Sequence, residues 1–206
     1  MARPRLISDD QILEAMRNTV LAHGQKASLD QVAATLGVTA PALLKRFGSR
    51  DELMLRALSP PSNPQWLQEL QKGPGEGTLR DQLLRLFSMI SDFMAEVIPC
   101  MMALRESGIP HDKVFNKARP PELAMKAWAH WLAAAREKGL VKARETETAA
   151  FAIIGALQTR AFFAHLQQQG FSASSQRHYL EELVELFCRA LSAPPSRPRP
   201  IRSRSR

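Results

Sequence analysis

Gly37-Val38-Thr39-Ala40-Pro41-Ala42-Leu43-Leu44-Lys45-Arg46-Phe47 decides how the chain is read. The glycine supplies the left-handed conformation that a tight helix stop requires. Two residues on, Thr39 can cap a new helix, and Pro41 falls in its first turn, where a missing N–H costs nothing. Four residues before the glycine stands Ala33, small enough for two short helices to cross closely. Val32, Leu36, Val38, Leu43 and Phe47 then supply a shared core. The spacing predicts a helix-turn-helix, and it leaves Thr39, Ala40, Ala42, Leu44, Lys45 and Arg46 on or near the open face of the second helix. The N-terminal part of such a helix enters the major groove of DNA. There the methyl groups of Ala40 and Ala42 suit thymine methyls, and Lys45 and Arg46 suit guanine edges or phosphates. Spacing alone leaves a plain helical hairpin as the alternative.

The flanks are helical too. Ser8-Asp9-Asp10-Gln11 is a capping-box pattern, followed by Ile12, Leu13, Met16, Val20 and Leu21 on one face and a stop at Gly24. Ser28-Leu29-Asp30-Gln31 opens a short helix that ends at Gly37, and Ser49-Arg50-Asp51-Glu52 opens another through about Leu58. Pro60, Pro61 and Pro64 then break the chain. The pattern predicts a short helix from Pro64 to Lys72 and a loop at Gly73-Pro74-Gly75-Glu76-Gly77. A long helix runs from Thr78 to about Val97, is ended or kinked by Pro99, and continues to Glu106. Gly108 to Arg119 reads as a loop with one helical turn. Helices follow at Pro120–Lys138, from about Glu145 to Gln169, and at Ser174–Leu191. The fold class is all-α: an N-terminal three-helix helix-turn-helix domain (1–58), a C-terminal helical domain (59–193) and a basic tail (194–206) expected to be disordered.

Composition narrows the class further. With apolar residues at 45%, the chain can bury a substantial core. The longest apolar run, Ala149 to Leu157, is too short to cross a bilayer, and MARPRLISDD holds no stretch of signal-peptide length, so no membrane partner is expected. Cys100 and Cys188 stand far apart in apolar surroundings and read as reduced thiols of a cytoplasmic protein. Of the net charge of +8, residues 1–58 carry +2, residues 59–193 carry +1, and the tail, five arginines without an acid, carries +5. The high overall charge is therefore weak support for nucleic-acid binding by the folded part. Arg3, Arg5 and the tail arginines are candidate phosphate contacts or merely solvated.

From Ser28 to Leu53, SLDQVAATLGVTAPALLKRFGSRDEL resembles the N-terminal domain of the TetR family of transcriptional regulators. Ser28, the Val32-Ala33 pair, Gly37-Val38-Thr39, Leu43, Phe47, Ser49 and Leu53 stand in register with the family pattern, and the close likeness covers residues 8–58. Beyond that only the layout of helices matches. Leu44 stands where the family usually has a phosphate-binding tyrosine, Arg46 where it has a histidine, and Arg50 where it has a lysine. The resemblance implies DNA contacts from Ser28, Thr39, Ala40, Ala42, Leu44, Lys45, Arg46 and Arg50. Arg50 at a helix start also suits a phosphate on general grounds.

The resemblance further implies an apolar ligand cavity in the C-terminal helices, which carry clustered Met and aromatic residues. Such residues are most often plain core, yet flexible Met side chains also suit an apolar ligand of variable shape. The candidates are Phe87, Met94, Met101, Trp128, Trp131 and Phe162, with Cys100, Arg105, His130, Gln158 and His165 as polar members. No metal-like cluster stands out, so an organic ligand is expected, with no cofactor. In proteins of this kind the last two helices pair across a two-fold axis. Here Ile153, Leu157, Leu180, Leu183, Val184 and Phe187 are the candidate homodimer surface, with Phe162 also offering apolar surface and Gly155 and Ala156 permitting close approach.

Two recognition helices of a dimer would address half-sites one helical turn apart. The resulting expectation is a homodimeric repressor released from a pseudo-palindromic operator by a small, largely apolar ligand. An activator, a ligand-independent regulator and a helical adaptor that has lost DNA binding are the alternatives. No Gly-x-Ser-x-Gly, His-Glu-x-x-His, Walker or Rossmann pattern is present, so nothing points to an enzyme.

Overall fold

A computed structural model of the chain describes residues 7–109, 120–167 and 170–192, and among these residues all regular structure is helical. Helix α1 spans Asp9–His23, α2 Leu29–Leu36, α3 Ala40–Phe47 and α4 Arg50–Leu58. Then follow α5 (Gln65–Gln71), α6 (Leu79–Glu106), α7 (Pro120–Glu137), α8 (Thr146–Leu166) and α9 (Ala173–Ser192). Arg3, Arg5, the tail from residue 194 and nearly all of the loop expected at Gly108–Arg119 lie outside the described residues.

The helix ends follow from local chemistry. Ser8 and Ser28 each close a full capping box: the hydroxyl accepts from the N–H of Gln11 or Gln31, and the glutamine side chain accepts from the serine N–H. At Ser49 only the serine half forms, to the Glu52 N–H at 3.1 Å, while the Glu52 carboxylate lies 4.0 Å from Arg56. Gly37 stops α2 at φ 67°, ψ 33°, and the Val38 N–H donates to the Ala33 carbonyl at 3.0 Å. This is the left-handed closure that orients α3 against α2.

The chain divides into two units, and α6, α7 and α8 each contribute to both. The first unit comprises residues 1–64, 91–123 and 158–170. Its core joins Ile12, Met16 and Val20 of α1, Val32 and Ala33 of α2, Leu43 and Phe47 of α3, and Leu53, Met54 and Leu58 of α4. Cys100 and Leu104 of α6 and the following Ile109 complete it. The helix-turn-helix is thus packed directly on the C-terminal half of α6. Arg17 fastens α1 to α4 by donating from Nε to the Ala57 carbonyl at 2.8 Å.

The second unit comprises residues 65–90, 124–157 and 171–206. Phe87 of α6, Trp128 and Trp131 of α7 and Phe187 of α9 meet edge-to-face in its core, with centroid spacings of 5.8–5.9 Å. The glycine-rich loop is held by one buried amide: Gln82 accepts from the Gly75 N–H and donates to the Gly75 and Gly77 carbonyls. Arg80 of α6 pairs with Glu185 of α9 at 2.7 Å. Tyr179 Oη donates to the Ala156 carbonyl at 3.0 Å, fastening α9 to α8.

Three expectations change. Of the two outcomes expected at Pro99, the end of the helix does not occur: α6 continues through it for 28 residues in all. The lost bond would go to the carbonyl of Ala95, an exposed residue that water can serve, while Ile98, Cys100 and Leu104 hold the helix by burial on either side. Second, six side chains expected on a dimer surface are interior: Ile153, Leu157, Leu180, Leu183, Val184 and Phe187 are all buried within the chain. What α8 and α9 expose is Phe162, also expected there, together with Phe151, Phe163, Leu166 and Leu186. Third, the nine-residue apolar run understated α8. Both α6 and α8 have the length and mean hydropathy (1.4 and 1.3) of a membrane span, a test that core helices of soluble proteins also pass.

Candidate nucleic-acid interface

Helix α3 buries Leu43 and Phe47, and Ala40 packs partly on the same core. The opposite face carries Thr39, Pro41, Ala42, Leu44 and Lys45, all exposed. The Thr39 hydroxyl accepts from the Ala42 N–H at 3.4 Å, so its remaining hydrogen-bonding capacity faces outward at the helix start. The N-terminal half of the exposed face is therefore small and uncharged, which permits close approach to base edges. The C-terminal half carries Lys45, whose flexible ammonium suits a phosphate. Ser28 stands at the α2 N-cap, with its hydroxyl engaged by Gln31 at 3.2 Å.

Two of the expected contacts are occupied otherwise. Arg46 donates from Nη1 to the Ile7 carbonyl at 2.6 Å, and its Nε lies 2.5 Å from Asp9 Oδ1. Arg50 is half-buried and donates from Nη2 to the Ala27 carbonyl at 3.1 Å, bracing the segment that leads into α2. Arg50 also lines a cavity of about 190 Å³ with Val20, Gly24, Met54, Ala103, Glu106 and Ser107, all within the first unit. Sequence reasoning missed Arg17, Asp9 and Arg56, whose guanidinium sits 5.5 Å from the Phe47 ring centroid. Asp9 was visible as a helix-start acid, but nothing in the pattern joins it to a residue 37 positions away.

The ligand candidates fall into both units. Phe87, Trp128 and Trp131 are fully buried together in the second, where the Trp128 Nε1–H has no hydrogen-bond partner among the described residues. His130 is exposed there. Cys100, Met94, Met101, Arg105, Gln158, Phe162 and His165 belong to the first unit. Cys100 is taken up by the core under the helix-turn-helix, and that burial pushes its thiol pKa up, which makes it a packing residue. Met94, Met101 and His165 are half-buried, and Arg105, Gln158 and Phe162 are exposed.

Residues 82–193, more than half of the chain, match the model of the AefR-like transcriptional repressor C-terminal domain. A TetR transcriptional regulator from Streptomyces coelicolor aligns with TM-score 0.58 at 22% identity, over 90% of this chain and 98% of that one. A transcriptional regulator from Rhodococcus aligns with TM-score 0.64 at 17% identity, over 90% and 96%. The transcriptional regulator FadR from Bacillus subtilis, solved in complex with stearoyl-CoA, aligns with TM-score 0.61 at 13% identity, over 84% and 96%. No curated protein matches at a significant level. A helix-turn-helix with an exposed, small-residue α3, joined to a C-terminal region that matches a repressor domain, places this chain in the TetR family of transcriptional regulators, which bind DNA and are not enzymes.

Proposed function

We propose that the protein is a cytoplasmic homodimeric repressor that reads a pseudo-palindromic operator with α3 and is released by a largely apolar organic ligand. The observation that carries the reading is the exposed α3 face: Thr39, Ala42 and Leu44 against the bases, Lys45 on a phosphate, with Ala40 and Ser28 at its margin. Arg46 and Arg50 hold the ends of the neighbouring helices, through the Ile7 and Ala27 carbonyls. Residues 1–58 are taken as the reading domain and 59–193 as the ligand and dimer domain, and the arginines of 194–206 add sequence-independent attraction.

The dimer surface is the exposed apolar stripe of α8 with the adjoining edge of α9. Phe151, Gly155, Phe162 and Leu166 follow at spacings of four, seven and four residues, which keeps them on one helix face, and Leu186 is 53% exposed on α9. A side chain built at Gly155 meets nothing within 4 Å in the chain itself. A glycine at this mid-helix position costs about 1 kcal/mol relative to alanine, and close approach by a second copy gives it a reason.

For the ligand, the unpartnered Trp128 N–H among Phe87 and Trp131 is the best-supported anchor, because a buried donor without an acceptor costs about 1–3 kcal/mol. An apolar compound with a carbonyl oxygen would satisfy it. His130, exposed on α7 of the same unit, is the polar candidate for the rest of such a molecule, while Met94, Met101, Arg105, Gln158, Phe162 and His165 belong to the first unit and are not part of this anchor. Long-chain acyl-CoA is the first class to try, given the stearoyl-CoA bound by the Bacillus subtilis relative.

Selection of bound sequences from random duplex DNA tests the operator reading. A motif with two-fold symmetry and half-sites about one helical turn apart is the expected result. Enrichment of no motif, or of one without a dyad, would sink it. Stearoyl-CoA added to the complex should release the DNA and raise the thermal midpoint of the free protein. If neither occurs with stearoyl-CoA or with stearate, the acyl-ligand reading fails.

A further inference from the structure

Arg46 and Lys45 are neighbours in the last turn of α3, yet their charges are placed differently. The Arg46 guanidinium reaches back to the chain entering α1, where it binds both the Asp9 carboxylate and the Ile7 carbonyl. A planar fork that serves two acceptors at once is held in direction as well as in place. Asp9 occupies the first position of α1, where a carboxylate is also favoured by the helix N-terminus. The pair is partly exposed, at 38% and 52%, so it is open to solvent. No described residue pairs with Lys45.

We propose that Asp9 silences Arg46 toward DNA. Asp9 is a negative determinant of operator affinity, Arg46 is a positioning residue that fixes the start of α1 against α3, and Lys45 is the net cation of the recognition helix. The physical reason is local charge balance. Moving the guanidinium from Asp9 to a phosphate would leave a bare carboxylate beside the phosphate backbone, and the gained contact is cancelled by the uncovered repulsion. This inference rests on the reading of α3 as the DNA-facing helix.

Salt dependence separates the roles, because each phosphate neutralised adds about 0.9 to the slope of log K against log salt. Over a fourfold change in salt, that is about a 3.5-fold difference in affinity. The assay uses the full chain and a duplex chosen by the selection above, with thermal midpoints checking that each variant is folded. Lys45→Gln should lower the slope by about 0.9. The charge-neutral double change Asp9→Asn/Arg46→Gln should leave the slope within about 0.2 of the parent, because it removes a pair that makes no phosphate contact. Asp9→Asn alone should raise both affinity and slope, the slope by up to about 0.9, as Arg46 becomes available to a phosphate.

A double variant whose slope falls as far as that of Lys45→Gln would make Arg46 a phosphate ligand and overturn the proposal. So would Asp9→Asn leaving slope and affinity unchanged. If Lys45→Gln leaves the slope unchanged while the protein still binds, α3 is not the reading helix, and both the function and this inference fail together.

Discussion

Helices α3 and α8 are both lined with apolar residues, but they solve opposite problems. In α3 the apolar residues fall on one side, and the remaining face is short, small and ends in a cation. In α8 they cover nearly the whole circumference: Ala150, Ile153 and Leu157 are buried on one side, while Phe151, Phe163 and Leu166 are 70%, 51% and 55% exposed on the other. A helix apolar all round is at home only where both sides are covered. The chain itself covers one side of α8, and a second copy is the proposed cover for the other. Helix α3 needs water or DNA on its outer face and nothing apolar.

The strongest way to break this contrast is to place the same charge on the two faces of α8. Phe151→Asp should leave helix content by circular dichroism nearly unchanged and weaken self-association by about 100-fold or more, the loss expected when an apolar anchor is replaced by an unpaired charge in an interface. Ile153→Asp, two residues away, should prevent folding, because it buries that charge in the subunit core. Sedimentation of the two variants decides the matter. A Phe151→Asp protein that still dimerises would mean that the stripe faces something else.

The corresponding pair in α3 is smaller in effect. Leu43 is 2% exposed and Leu44 is 39% exposed. Leu43→Ala should cost about 2–5 kcal/mol in chemical denaturation, the range for deleting a buried leucine side chain. Leu44→Ala should stay within about 0.5 kcal/mol. Equal losses at the two positions would mean that the rotational setting of α3, and with it the assignment of its outer face, is wrong.

The same contrast explains what could be read from the sequence. In residues 8–58 every α-helix announces its start with a hydroxyl side chain, so the elements and most of the core were legible there, whereas Leu21, expected on the buried face of α1, is 45% exposed, and Ala40, expected on or near the open face of α3, packs partly on the core. At the C-terminal end the helices were legible to within three residues at each boundary, but not their orientation. A pattern in which Phe151 and Ile153 are equally apolar does not say which of them meets the subunit's own core. That choice is made by α9, whose Tyr179 bonds the Ala156 carbonyl and whose Leu180, Leu183 and Val184 fill the interior. Long-range polar pairs such as Arg46 with Asp9, or Arg17 with the Ala57 carbonyl, were equally invisible, since periodicity reports only on neighbours within one element.

Two glycines give the finest test. A Cβ added at Gly37 or at Gly155 meets no atom within 4 Å, so space does not distinguish them. Backbone conformation does: Gly37 sits at φ 67°, and Gly155 lies inside the regular α8 helix. Gly37→Ala forces a Cβ into the left-handed region and should destabilise the first unit by about 1–2 kcal/mol. Gly155→Ala restricts the unfolded chain without straining the folded one and should stabilise the monomer by about 1 kcal/mol. The stability gain at Gly155 should shrink as protein concentration rises, because the new methyl group then lies where a second copy approaches. Denaturation curves at two concentrations measure both signs. A gain at Gly155 that is independent of concentration would remove the glycine from the dimer argument, while a gain at Gly37 would show that its left-handed turn is not what sets α3 against α2.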